Sequence, residues 1–180
     1  MLYNYKEAIA KFKTDYNLKR EIDNNNFYKI KDGIYSDIQY PHYLSILKKE
    51  YPYCVISGHT AYYFYGLTDI IPSHIIVCTP RNATTIVDKE IKQIRMKDEL
   101  YNLGIVNYEY EGVNVQIYDK ERLLIDLARN KNKMGYDLYK EIVENYRKIS
   151  NSIDMYKIEK YLEYFKDGDR IYKILMNEVF

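Results

Sequence analysis

The chain has 180 residues, 47% of them hydrophobic, and 27 Lys and Arg against 26 Asp and Glu for a formal net charge of +1. That length suits one domain, or one domain with a small appendage, and supplies enough apolar residues to bury a core. Near-neutrality excludes a bulk attraction to polyanions, so any nucleic-acid site must be a local patch.

The two cysteines, Cys54 and Cys78, lie in apolar stretches without a CxxC or Cys/His cluster. They read as buried thiols of a reducing compartment, with no disulfide framework and no zinc site. The N-terminal residues do not read as a signal peptide, and no apolar run is long enough to span a bilayer. The expectation is a cytoplasmic protein with no membrane partner.

In chain order, Tyr5, Ala8, Ile9 and Phe12 fall at i, i+3, i+4 and i+7, one apolar helix face. Thr14 then reads as the N-cap of a second helix over about 15–24, with Leu18 and Ile22 inward and Asn17, Lys19, Arg20 and Asp23 outward. Asp32-Gly33, between Phe27–Lys31 and Ile34–Ser36, is a hairpin signal for a turn with φ > 0 at both central residues. Helix, short turn, helix and hairpin make the grammar of a winged helix-turn-helix. Asn17 or Arg20 would reach base edges, and the wing lysines Lys29 and Lys31 would lie on phosphates. The competing expectation is a small helical cap with solvated lysines.

Gln39-Tyr40-Pro41 is the expected domain boundary, giving a DNA-binding domain over 1–40 and a second domain over 41–180. Pro41 suits the first turn of a helix ending near Tyr51-Pro52. Val55-Ile56 leads to a Ser57-Gly58 turn, a mostly apolar helix from His59 to Tyr65, a stop at Gly66, and a strand over Ile75–Cys78. Another strand falls in Ile91–Met96, and a hairpin over Ile105–Tyr110 and Val113–Ile117 turns at Glu111-Gly112. From about Asp119 the chain is helical. The fold class is therefore α+β: an N-terminal winged helix-turn-helix, then a small mixed β-sheet domain with C-terminal helices.

The 57–81 stretch has the outline of a nucleotidyltransferase core, in which the strand after the Gly turn carries two carboxylates that hold Mg²⁺. Here that strand reads His74-Ile75-Ile76-Val77-Cys78, with no hard oxygen ligand for magnesium. The expectation is no catalysis and no cofactor. Gly58 reads as backbone geometry, or as a vestigial phosphate cradle. His59 reads as a capping or core histidine, His42 and His74 lack a Cys or Asp neighbour at ligand spacing, so no metal is assigned, and Ser57 with His59 is not read as a nucleophile–base pair.

In the C-terminal helices, Arg122, Asp126, Arg129 and Lys133 recur at i, i+4, i+7 and i+11. The expectation is a solvated charged stripe, its Arg122–Asp126 pair contributing roughly 0.2–0.5 kcal/mol. Arg129, Lys131 and Lys133 form a local cationic run that could take RNA or DNA phosphates or an acidic protein surface.

Phe27–Tyr35, Val55–Ala61, Tyr65–Thr68, Thr79-Pro80-Arg81 and Tyr118–Leu127, in this order, resemble the AbiEi antitoxins of the type IV AbiE abortive-infection toxin–antitoxin systems. The resemblance implies a phage-defence antitoxin that represses its own operon through the winged helix. Its second domain would counteract a nucleotidyltransferase toxin, and a stable complex with that toxin is not assumed. It assigns Lys19, Arg20, Lys29 and Lys31 to operator DNA, and Ser57, Gly58, Gly66 and Arg122 to Asp126 to the antitoxin-domain signature. Paired half-sites would follow from a homo-oligomer on DNA. Two readings compete: a nucleotidyltransferase-like enzyme drawing carboxylates from elsewhere, such as Asp69 or Asp88, and a Tyr-rich protein-binding oligomerisation module.

Overall fold

A computed structural model describes residues 1–180. The chain is mixed α and β and divides by its contacts into two units: 1–54 with 111–113, and 55–110 with 114–180.

The first unit contains β1 (Leu2–Asn4), α1 (Tyr5–Phe12), α2 (Asp15–Asp23), β2 (Tyr28–Lys31), β3 (Ile34–Ser36) and α3 (Tyr43–Glu50). Its three strands form an antiparallel sheet in the order β1-β3-β2. The two helices and the hairpin match the sequence expectation; β1 does not appear in it, because three residues are too few to show alternation. Asn4 ends β1 and caps α1: its Oδ1 accepts the Glu7 N–H at 2.9 Å, and the Glu7 carboxylate accepts the Asn4 N–H at 2.7 Å. This reciprocal pair satisfies two of the N–H groups that a helix start leaves free. Thr14 caps α2 as expected, its Oγ1 accepting the Asn17 N–H at 3.1 Å.

Ala8, Leu18, Phe27 and Tyr35 form the core of this unit, with Tyr3, Ile9, Phe12 and Ile22 packed against it. Tyr5, expected on the buried face of α1, is 47% exposed, and its hydroxyl reaches Asp15 at 3.3 Å. The hairpin also differs from expectation. Gly33 has φ +77°, but Asp32 stays out of the left-handed region, and a bulge lies between Lys29 and Lys31. A bulge adds right-handed twist, which is what a primed turn would otherwise supply. The turn with both central residues at positive φ is Glu111-Gly112, at +49° and +76°.

The helix α3 starts after Pro41 with His42 as its cap, Nδ1 accepting the Leu44 N–H at 3.2 Å. It packs against β1 and β3. Contacts therefore divide the chain at 54/55 and place α3, expected in the second domain, with the first unit.

The second unit contains β4 (Val55–Ile56), α4 (Gly58–Phe64), β5 (Ile75–Pro80), β6 (Ile91–Met96), α5 (Asp98–Tyr101), β7 (Ile105–Tyr110), all of β8 (Val113–Tyr118) but its first residue, α6 (Lys120–Arg129), α7 (Tyr136–Lys148), α8 (Met155–Leu162) and α9 (Gly168–Glu178). Its sheet runs β6-β5-β4-β8-β7; β4 is antiparallel to β5 and parallel to β8, and β5 is parallel to β6. This is the small mixed sheet expected, and α4 packs on β5. No helix is long and apolar enough to cross a membrane.

The centre of this unit is α6. It contacts α4, α8 and α9, and every residue from Glu121 to Ala128 is buried. Tyrosines fasten it in place: the Tyr62 hydroxyl donates to the Leu123 carbonyl at 2.9 Å and the Tyr146 hydroxyl to the Lys120 carbonyl at 3.0 Å. Tyr118 donates likewise to the Tyr101 carbonyl at 2.9 Å.

Burial is the main force holding the Tyr62, Tyr118 and Tyr146 phenols above their ordinary value of 10.0. Nearby Asp126 adds to it at Tyr62, Cys78 at Tyr118, and Tyr62 at Tyr146. Above about pH 10 the unfolded chain loses these protons while the folded chain keeps them, so stability falls as pH rises. We expect an alkaline titration to show a group of tyrosines that ionise only in step with the loss of helical circular dichroism. Full ionisation near pH 10 with the fold intact would refute this.

Candidate functional site

The cations expected on DNA sit in the first unit, each beside a carboxylate. Leu18 turns inward on α2, which leaves Lys19 and Arg20 facing solvent. Lys19 Nζ lies 2.8 Å from Asp15 and Arg20 lies 3.6 Å from Glu21. On the hairpin, Lys29 Nζ lies 2.6 Å from Asp32, and Lys31 pairs with Glu50. The hydrogen bonds that Lys19 and Lys29 donate to Asp15 and Asp32 are the chief cause of their raised pKa values, so both stay cationic. The exposed Lys19–Asp15 and Lys29–Asp32 pairs are of a kind that is weak and screened by salt, whereas Lys31 and Glu50 are half-buried. Asn17 differs from its expected outward role. Its side-chain amide donates to the Phe12 carbonyl at 3.0 Å and is half-buried. It ties the end of α1 to the start of α2 and is not presented to a base edge.

In the second unit, the Ser57-Gly58 turn is occupied by its own chain. Ser57 is buried; its Oγ accepts the Cys78 S–H at 3.2 Å, and its N–H donates to Ile76 O at 3.0 Å. Thr60 Oγ1 donates to His74 O at 3.1 Å and accepts the Ile76 N–H at 2.9 Å. Gly58 has φ +53° and faces the Ile76 side chain, so backbone conformation accounts for the glycine. Gly66, at φ +66°, closes α4, where the Leu67 N–H returns to Tyr62 O at 2.9 Å. Burial pushes the Cys78 thiol up to about 11.

Strand β5 presents Ile75, Ile76, Val77, Cys78, Thr79 and Pro80, without a carboxylate. Of the acids considered as replacements, Asp69 donates its N–H to Glu141 at 2.8 Å and Asp88 accepts the Glu90 N–H at 2.9 Å. No group of three or more His, Cys, Asp or Glu is placed to hold a metal.

The Arg122–Asp126 stripe, expected to be solvated, is buried. Arg122 is 0% exposed and Asp126 8%. The guanidinium donates to Asp126 Oδ2 at 3.1 Å, to the Leu100 carbonyl at 2.5 Å and to the Leu103 carbonyl at 3.2 Å, and it lies 3.5 Å from Met96 Sδ. Its plane lies over Tyr118 at 4.7 Å and Phe165 at 5.3 Å. The other oxygen of Asp126 accepts from Arg129 at 3.1 Å, and Arg129 also stacks on Phe165 at 4.6 Å. Asp119 caps α6 through the Arg122 N–H at 2.8 Å and accepts the Tyr161 hydroxyl at 2.8 Å, with Lys157 Nζ at 2.9 Å.

Gly104, with φ +82°, lies so close that an added Cβ would sit 2.8 Å from Arg122 Cβ. Arg122 and Asp126 thus join the end of β6, α5, the segment before β7 and α6. Sequence reasoning missed Gly104, Met96, Tyr161 and Phe165 as partners. Only the Asp119 N-cap and Gly104 carried a local signal.

The expected cationic run does not form one surface. Arg129 turns inward onto Asp126 and Phe165, Lys131 pairs with Glu178 beside the Tyr139 ring, and Lys133 is exposed.

Removing one partner of a buried, hydrogen-bonded ion pair strands the other charge. Arg122→Ala is therefore expected to cost about 3–5 kcal/mol, whereas Lys133→Ala stays within about 0.5 kcal/mol. Urea denaturation of the two variants measures the difference; equal midpoints would contradict the structural role of Arg122.

No protein-family model matches the chain, and no curated protein matches it.

Proposed function

We propose that the chain is a type IV antitoxin of the AbiEi kind. Its first unit acts as a winged helix-turn-helix that represses its own operon, and its second unit counteracts a nucleotidyltransferase toxin in the cytoplasm. The observation that carries this reading is the run α1, tight turn, α2 and β2–β3 hairpin, with Lys19, Arg20 and Lys29 exposed on it. Helix-turn-helix modules place their second helix in the major groove and use flanking elements on the backbone. The ordered series of motifs through the chain supports the antitoxin half. The apolar β5 strand supports a regulator over an enzyme, since metal-assisted nucleotidyl transfer needs converging carboxylates.

On this reading Lys19, Lys29 and Lys31 exchange their carboxylate partners for phosphates, and base reading falls to Arg20, because Asn17 is committed to Phe12. DNA is bound by this one unit or by a homo-oligomer on paired half-sites. The toxin is opposed with or without a lasting complex.

A mobility shift on the promoter fragment upstream of the gene tests the repressor half. Wild-type protein shifts it at low salt. Lys29→Ala and Lys31→Ala each lower the salt slope of binding by about 1, while Arg20→Ala relaxes sequence preference. A folded protein that gives no shift ends the repressor reading. Co-expression with a neighbouring nucleotidyltransferase gene tests the other half: growth resumes when the antitoxin is present, and continued arrest ends the antitoxin reading.

A further inference from the structure

The Thr79-Pro80-Arg81 motif has no part in the Arg122 network or the Ser57-Gly58 turn, yet it stands where parallel strands β5 and β6 end together. Their register pairs Val77 with Gln93, Thr79 with Arg95 and Pro80 with Met96. Residues opposite one another share a sheet face. The Gln93 side chain confirms the face by donating to Thr79 Oγ1 at 2.9 Å.

The connecting segment 81–90 lies over this face. Ile86 donates its N–H to Gln93 Oε1 at 3.0 Å, and Gln93 donates to Thr84 O at 3.1 Å. Arg95 Nη2 donates to Thr85 Oγ1 at 2.6 Å, which fixes the guanidinium at the rim. Arg81 opens the turn closed by the Ala83 N–H on Pro80 O at 3.1 Å, and Lys97 continues β6 with an extended backbone at φ −66°, ψ 148°. Arg81, Arg95 and Lys97 therefore gather at one end of two adjacent strands, all three exposed.

Their electrostatics differ from those of the first unit. None of the three makes an ion pair with a carboxylate. Asp88 and Glu90 belong to the other end of the strands, where the Ile75 N–H donates to Glu90 O at 2.8 Å. A six-residue strand separates the two ends by roughly 17–20 Å. Asp98 and Glu99 follow on the first turn of α5 without pairing to any of the three. Like charges left side by side oppose folding, and this fold gains no internal bond from Arg81 or Lys97. Exposed Asn82 and Thr84 add neutral donors to the same rim. Arg, Lys, Asn and Thr form the set that contacts phosphate and sugar, and no exposed aromatic ring supplies the core of a protein interface.

From this geometry we infer that the carboxyl ends of β5 and β6 form a phosphate-contact surface for nucleic acid, built by Arg81, Arg95 and Lys97 and indifferent to base sequence. It does not rest on the antitoxin reading or on operator binding by the first unit.

The test is fluorescence anisotropy on the full chain with labelled RNA and DNA oligonucleotides unrelated to the promoter. It compares wild type, Arg81→Ala/Lys97→Ala, and, as control, Lys166→Ala/Lys173→Ala, two exposed lysines that belong to neither proposed surface. Arg95 is left in place because it holds the loop, and thermal melts confirm that each variant folds. Losing two phosphate contacts should flatten the salt slope by about 2, so that affinity falls about tenfold less between about 50 and about 200 mM salt. The control should keep that binding. A preference for the RNA or the DNA probe identifies the natural ligand class. The inference is overturned if neither probe binds at low salt, if the Arg81/Lys97 variant keeps the wild-type slope, if the control alone abolishes binding, or if polyglutamate competes as well as nucleic acid.

Discussion

The burial of one guanidinium organises the second unit. A charged group of this size leaves water only when nearly every donor is satisfied, because several kcal/mol of desolvation must be offset. Arg122 meets that demand with a carboxylate, two main-chain carbonyls, a thioether and two aromatic faces. Each partner comes from a different stretch of chain: Asp126 from α6, Leu100 from α5, Leu103 from the segment before β7, Met96 from the end of β6, and Phe165 from beyond α8. The arginine can be satisfied only when all of them have arrived. Gly104 follows from the same constraint, since its missing side chain is the space that Arg122 and Asp119 use.

That constraint explains what the sequence shows and what it hides. Helical periodicity places Arg122, Asp126 and Arg129 on one face, and they do share one. Periodicity carries no information about whether a charged face meets water or a buried network. Buried arginine is rare, so solvation is the natural reading. The partners that reverse it, Met96, Leu100, Leu103, Tyr161 and Phe165, are distant in sequence and mostly apolar or main-chain atoms, with no charge to announce them. The buried strand β5 is legible as a continuous apolar run, and the C-terminal helices because their apolar spacing is regular over many residues. The strand β1 and the helix α5 are too short to show any period.

Local turn chemistry is legible in part. Gly33, Gly66 and Gly112 all adopt the positive φ that their positions imply. The finer turn type is not, because it depends on what the flanking strands do. Asp32-Gly33 has the stronger hairpin composition, yet the bulge beside it changes the twist to be matched. Glu111-Gly112 has the weaker composition and takes left-handed geometry at both residues. The division at 54/55 has a similar cause. Pro41 marks a break in secondary structure, but the buried Leu44 and Leu47 of α3 bind that helix to the unit before it.

Charge pairing separates two kinds of basic surface in a chain of net charge +1. In the first unit Lys19, Arg20, Lys29 and Lys31 each lie beside a carboxylate, so on the proposed function a phosphate would have to displace a neighbour that salt already weakens. On the proposed function, affinity there would depend on several exchanges acting together and would favour a ligand that fits the helix and hairpin. At the ends of β5 and β6, Arg81, Arg95 and Lys97 have no ion-paired carboxylate to displace, and on the inferred contact surface any phosphate chain would gain from approaching them. A protein built this way would separate selective contact from general attraction, with the first resting on exchange and the second on repulsion among cations that the fold leaves unrelieved.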